Sequence, residues 1–221
     1  PGSGEIPAVA ARAGAFALTA GSSDAVIVTT LPPGGYTAVA SAADGRAGVC
    51  LIEVYDLAPE SADQRLVNLS TRAVAGAGES TLTAGLVVRG TDPKRILIRV
   101  LGPTLARAPF NLTGVLDDPE LELRNAAGLA LVRNDDWSTG AEGGASPEND
   151  FKPFVVTHGE KAIFATGHAP GNRREPCVML DLPPGPYTVI VRPFELRDTN
   201  PDRDQPAAPG VGIVEVYEIS P

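Results

Sequence analysis

Leu31-Pro-Pro-Gly-Gly-Tyr-Thr37 and Leu182-Pro-Pro-Gly-Pro-Tyr-Thr188 agree at six of seven positions. Each sets a Pro-Pro-Gly turn directly before a Tyr-Thr pair that opens a run of alternating apolar residues. A second shared stretch follows both. Gly48-Val-Cys-Leu-Ile-Glu-Val-Tyr-Asp-Leu57 matches Gly210-Val-Gly-Ile-Val-Glu-Val-Tyr-Glu-Ile219 at five of ten positions. Upstream, Phe16-Ala-Leu-Thr-Ala-Gly21 lines up with Phe154-Val-Val-Thr-His-Gly159. The order is the same in both copies, which marks a duplicated module. The second copy carries insertions near Ala162–Arg174 and Glu195–Pro209. Residues from about 65 to 150 have no counterpart in the chain. Residues 1–60 therefore read as the C-terminal half of one repeat and residues 61–221 as a complete one, with the polar stretch Ala58–Gln64 between them as a linker.

Period-two alternation dominates both copies. In Arg95-Ile-Leu-Ile-Arg-Val100, Ile96, Ile98 and Val100 share one face and the two arginines the other. Tyr187, Val189 and Val191 share a face in the same way. About fourteen strands are expected, near 15–19, 25–30, 36–41, 48–56, 66–72, 81–89, 95–101, 120–124, 129–134, 152–157, 161–165, 177–182, 187–192 and 211–219. The 24 glycines and 21 prolines among 221 residues break any long helix. The expected fold is all-β, made of antiparallel β-sandwich repeats of the jelly-roll or immunoglobulin-like kind, with little helix. The Ala-rich run Ala8–Ala17 has helical propensity, but a helix from Phe16 onward is at odds with the β-branched partner Phe154-Val-Val. A short helical turn fits Thr104–Ala108.

The net charge of −9 argues against binding nucleic acid or acidic lipid, which need a basic field. No apolar stretch approaches the length of a membrane span. Two histidines and two cysteines argue against a Cys/His zinc cluster. No phosphate-cradling loop or nucleophile elbow occurs, so no cofactor and no enzymatic activity are expected.

The full unit resembles a tandem β-sandwich repeat family found in large secreted and surface proteins of bacteria. The resemblance rests on Arg65-Leu-Val-Asn-Leu-Ser-Thr-Arg72, Gly85-Leu-Val-Val88, Ile96-Leu-Ile-Arg-Val-Leu-Gly-Pro-Thr-Leu105, Asp118-Pro-Glu-Leu-Glu-Leu123, Asn134-Asp-Asp-Trp137, the Leu-Pro-Pro-Gly-x-Tyr-Thr turns and Glu-Val-Tyr near each repeat end. It covers nearly all of 61–221, and 14–57 as a half copy. Asp118–Arg192 is more weakly similar to the jelly-roll domain appended to secreted bacterial peptidases. Both resemblances imply export and a modular structural or binding role.

Candidate sites carry bland alternatives. Asp135, Asp136 and Asp150, with Glu142 and Glu148, could supply oxygens to Ca²⁺. Alternatively, Asn134-Asp-Asp-Trp137 makes a polar turn with Trp137 covering a core edge. Asp117, Asp118, Glu120 and Glu122 read as a solvated face. Cys50 and Cys177 allow one disulfide or two free thiols. Glu53 and Glu215 occupy the same place in both copies. Each either pairs inside the fold with an arginine such as Arg72 or Arg99, or faces outward on an edge strand. Asn68-Leu-Ser70 and Asn111-Leu-Thr113 fit the N-glycosylation sequon, which allows a glycan, or are ordinary turn and strand asparagines.

The expected function is a non-enzymatic, extracellular or cell-surface assembly protein: a repeat module of a fibre, filament or layer whose partners are copies of itself or neighbouring repeats. An adhesin or carbohydrate-binding module is the alternative, and a carboxylate hydrolase is disfavoured.

Overall fold

The structure, a computed structural model, describes residues 5–15, 17–19, 21–46, 48–57, 66–138, 156–194 and 208–219. The chain divides into two compact units, 1–66 and 67–221. The expected linker 58–64 lies outside the described residues, and so do Phe16, Phe154, most of the 195–209 insertion, Glu142, Glu148 and Asp150.

In the first unit, helix α1 (Ile6–Ala13) has a proline in its first turn. It stops at Gly14, whose left-handed backbone (φ +74°) turns its N–H back onto the last helical carbonyls. The Ala-rich run is thus helical, and the helix ends short of Phe16. The strands expected near 15–19, 25–30, 36–41 and 48–56 do not form sheet among the described residues. The reason is non-local. A strand exists only as part of a ladder, and the second unit shows the partners that its own copies of these sequences have.

That unit contains nine strands among its described residues: β1 (Asn68–Ala75), β2 (Leu82–Val88), β3 (Lys94–Leu101), β4 (Pro119–Asn125), β5 (Ala130–Asn134), β6 (Val156–His158), β7 (Cys177–Leu182), β8 (Gly185–Pro193) and β9 (Gly210–Glu218). They form a five-stranded sheet, β1-β9-β3-β7-β6, and a four-stranded sheet, β2-β8-β4-β5. Every ladder is antiparallel. The pairing is nested: β1 with β9, β2 with β8, β3 with β7, β4 with β5. This is the strand order of a jelly roll, with β6 added at one edge. The protein is an all-β sandwich.

One core fills the space between the sheets. Ile96, Ile98 and Val100 of β3, Leu180 of β7 and Val214 of β9 face Leu121 and Leu123 of β4 and Tyr187, Val189 and Val191 of β8. The alternation in β3 and β8 is therefore used as the sequence indicates. The odd-numbered residues of β3 point the other way. There Leu97 joins Cys177, Met179 and Ile163 in a second, outer cluster.

Ile163 belongs to helix α2 (Glu160–Ala165), where a strand was expected at 161–165. Glu-Lys-Ala-Ile-Phe-Ala lacks a breaker and is made mostly of good helix formers. Its turn buries Ile163 and leaves Phe164 in solvent. Pro103–Ala106 forms the expected short helical turn, of the 3₁₀ kind.

Two glycines admit no side chain. A Cβ on Gly102 would lie 2.2 Å from the Leu116 carbonyl oxygen, and one on Gly210 would lie 2.5 Å from the backbone of Val115 and Leu116. The second contact exists because Val115 bridges Val211 beside the start of β9. Gly48, the first-copy counterpart of Gly210, meets nothing within 4 Å. Gly210→Ala is expected to cost the second unit at least about 1–3 kcal/mol, as overpacking does, while Gly48→Ala leaves its unfolding unchanged. Denaturant titration of the two variants checks the contrast.

Candidate functional site

Two local hydrogen bonds of the repeated motifs recur in both copies. The Tyr187 hydroxyl donates to the Pro183 carbonyl at 2.8 Å, and the Tyr36 hydroxyl to the Pro32 carbonyl at 2.8 Å. In the second unit this bond ties down a crossing, since β7 lies in one sheet and β8 in the other. Gly185, at φ +154°, makes the corner. The Leu-Pro-Pro-Gly segment is thus a passage between sheets that delivers Tyr187 to the core. Tyr217 likewise donates to Glu215 Oε1 at 3.0 Å, and Tyr55 to Glu53 Oε1 at 2.9 Å. Burial separates the copies. Tyr187 is 8% exposed and Tyr36 56%.

Glu215 lies on β9, an interior strand, so it does not guard an edge. Arg99 Nε donates to its Oε2 at 2.6 Å, while Nη1 and Nη2 donate to the His168 carbonyl at 2.7 Å and the Tyr217 hydroxyl at 3.1 Å. The His168 ring stacks on Tyr217, centroids 4.1 Å apart. Arg72, on β1, is exposed and faces Ile213 across the ladder. Glu53 has no arginine among the described residues.

Farther along the same outer face, Arg95 donates to both Asp181 oxygens, at 2.8 and 3.2 Å, and His158 Nε2 lies 3.0 Å from Asp181 Oδ1. The Arg95 hydrogen bond, then His158, holds the Asp181 carboxyl below the usual range despite some burial. Lys94 pairs with Glu218 at 3.4 Å. A cleft of about 530 Å³ opens here, lined by Arg95, His158, Thr166, His168, Met179 and Glu218. Both histidines of the chain border it.

The carboxylates 117–122 are not one solvated face. Glu122 is wholly buried on the outer side of β4. Arg124 and Arg192 (3.1 Å) donate to it, and Arg133 Nε lies 2.6 Å from Oε2. Arg192 also bonds Glu120. Burial pushes the Glu122 carboxyl up, but the three guanidiniums outweigh it and hold the group below its usual range. Asp118 behaves oppositely. Burial, helped by Asp136, Asp135 and Asp117 against the opposing charge of Arg174, pushes it up to about 6.

A third carboxylate, Glu175, was not visible as a site in the sequence. It is wholly buried and accepts from the N–H groups of Gly102 (2.9 Å) and Thr104 (2.7 Å) and from the Thr104 hydroxyl (2.7 Å). It pins the Gly-Pro-Thr-Leu turn to the start of β7.

Asn134 Nδ2 donates to the Asp136 carbonyl at 2.8 Å, and its Oδ1 accepts the Cys177 N–H at 2.8 Å. Trp137 packs on the outer cluster. Asp135 and Asp136 belong to this turn, Asp150 lies outside the described residues, and no group of three metal-ligating side chains occurs among the described residues. Cys50 is exposed and Cys177 buried, and both are free thiols, with burial pushing Cys177 up to about 12. Asn68 donates to the Val216 carbonyl at 3.0 Å, and Asn111 takes a left-handed turn conformation (φ +51°). No protein-family model and no curated protein matches the chain.

Two outcomes are expected in solution. Glu122→Ala strands three guanidiniums and costs about 3–5 kcal/mol, read by denaturant titration. For pH, Asp118 is raised, so its contribution is full below the ordinary aspartate range near pH ~4 and is lost as pH rises through about 6. Glu122 and Asp181 are lowered, so theirs is present above that range and lost as pH falls through it. The melting temperature should rise from pH ~7 to ~5 and fall below pH ~4. Asp118→Asn should flatten the upper limb alone, which a pH series of thermal melts would show.

Proposed function

We propose that the chain is a non-enzymatic assembly module of an extracellular or cell-surface fibre, filament or layer, joined to its neighbours by β-sheet packing. One observation carries this reading. Residues 31–37 and 48–57 repeat the sequence and the local hydrogen bonds of β8 and β9, yet expose the side chains that a sandwich would bury. Leu31 is 53% exposed where Leu182 is wholly buried, and Ile52 is 48% exposed where Val214 is 1%. Apolar surface of this kind drives association at roughly 25 cal/mol per Å², and open backbone groups accept further strands.

A carbohydrate-binding or adhesive role is the second reading. It is favoured by the cleft beside the stacked His168 and Tyr217, and a glycan array probes it.

Deleting residues 1–58 should leave a folded, monomeric 59–221, while the intact chain associates into regular polymers visible by electron microscopy and sedimentation. A truncated protein that forms the same polymer, or an intact chain that stays monomeric at high concentration, would remove the assembly reading.

A further inference from the structure

We infer that residues 24–57 are completed by strands of the β1–β4 pattern from a neighbouring repeat outside residues 1–221, and that Glu53 and Tyr55 seat an arginine of that repeat's β3-like strand. This goes beyond the assembly reading: it starts from the same exposed half copy but names the chemistry of what completes it.

In the second unit β8 runs between β2 and β4, and β9 between β1 and β3. The same sequences in the first copy therefore ask for four flanking strands. The Glu53–Tyr55 pair is already set as Glu215–Tyr217 is, and in the second unit one guanidinium, Arg99, engages both members of that pair. Gly48 stands where Gly210 must be glycine to pass the Val115–Leu116 backbone, although nothing near Gly48 requires it. Counting back without gaps from the shared Leu-Pro-Pro-Gly, Asp24 falls at the place of Glu175, the carboxylate that holds the Gly102–Thr104 turn. Asp24 is exposed, and no such turn reaches it among the described residues. The first copy thus carries three features, an acid for a turn, a glycine for a close approach and a carboxylate–phenol pair for an arginine. Each matches a group that lies on β1–β4 or its connecting turns in the second unit.

A second copy of this chain does not satisfy them. Among the described residues, 1–221 hold two C-terminal halves and one set of β1–β6, and that set is closed on its own β7–β9. However copies of residues 1–221 exchange strands, one half per copy is left over. The occupant is a further strand set with an outward arginine at the position of Arg99.

The test supplies that set. A chain extended by a second copy of residues 66–152 ahead of residue 15 is compared with the unextended chain by hydrogen exchange. Amides of 36–41 and 48–57 should gain protection of about a hundredfold or more in the extended chain. Arg99→Ala in the added copy, or Glu53→Ala, should reduce it roughly tenfold, the size of one charge-assisted hydrogen bond. Exchanging the charges, Glu53→Arg with Arg99→Glu in the added copy, should restore part of it. The native second unit is untouched in every variant and serves as the internal folding control. Absence of protection in the extended chain overturns the inference. So does equal protection in the unextended chain at high concentration, which would make a second copy the occupant. Protection indifferent to Glu53 and the added Arg99 overturns the arginine seat. An unextended chain that is monomeric, with an extended form that gains protection, removes the assembly reading and leaves this inference standing.

Discussion

Nested strand pairing is the constraint on which the rest of the second unit depends. The outermost pair joins residues 68–75 to 210–217, and the next joins 82–88 to 185–191. β9, the last strand of the unit in chain order, lies between the first and the third. Until it arrives, β1 has no ladder partner and one side of β3 is open. Contacts of such sequence separation are slow to form, because the chain must be ordered before they return any energy. The C-terminal half of the repeat is likewise no independent piece. β8 and β9 have both edges occupied, so removing the N-terminal half exposes two rows of backbone groups on each.

The buried charges follow from the same pairing. Burying a carboxylate costs several kcal/mol before compensation, and Glu122 and Glu175 are both wholly buried. Each is compensated by groups distant in sequence. Glu122 draws on β5 and β8 through Arg133 and Arg192 as well as on Arg124 of its own strand. A one-residue slip of β4 would turn Glu122 into the apolar core and Leu121 and Leu123 out of it. The cluster therefore penalises wrong registers more heavily than it stabilises the right one, because an unmatched buried charge loses more than a matched one gains. Arg99 plays a similar part for β3 and β9, with the His168 carbonyl tying in the loop that follows α2.

What could be read from the sequence divides along the same line. Alternation placed Ile96, Ile98 and Val100 opposite Arg95 and Arg99, because face assignment within a strand is a property of neighbouring residues. The sandwich class followed from many such runs and their turns. The partners did not follow, because nothing local announces that Arg192 lies across from Glu120 or that Glu175 reaches back to Gly102. Glu122 read as solvated for that reason: its strand alternates acids outward, and only the arginines of two other strands bury them. The α2 segment lies at an insertion that the first copy lacks, so the repeat offered no guide to it. Its six residues carry helical propensity but too few turns for a periodic signal.

The two copies separate local from non-local causes with unusual directness, since nearly the same words occur with and without partners. Tyr36 bonds Pro32 as Tyr187 bonds Pro183, and Tyr55 bonds Glu53 as Tyr217 bonds Glu215. These contacts span two to four residues, so the local backbone is enough to make them. Strand character and burial do not come with them. Both need the flanking strands that only the second copy has. The Leu-Pro-Pro-Gly-x-Tyr-Thr and Glu-Val-Tyr motifs thus prepare the tyrosine anchor and the acceptor, at a cost in exposed apolar surface wherever they stand alone. That cost is recovered only by a complementary strand set, because no rearrangement within residues 24–57 supplies two neighbours to each of two interior strands.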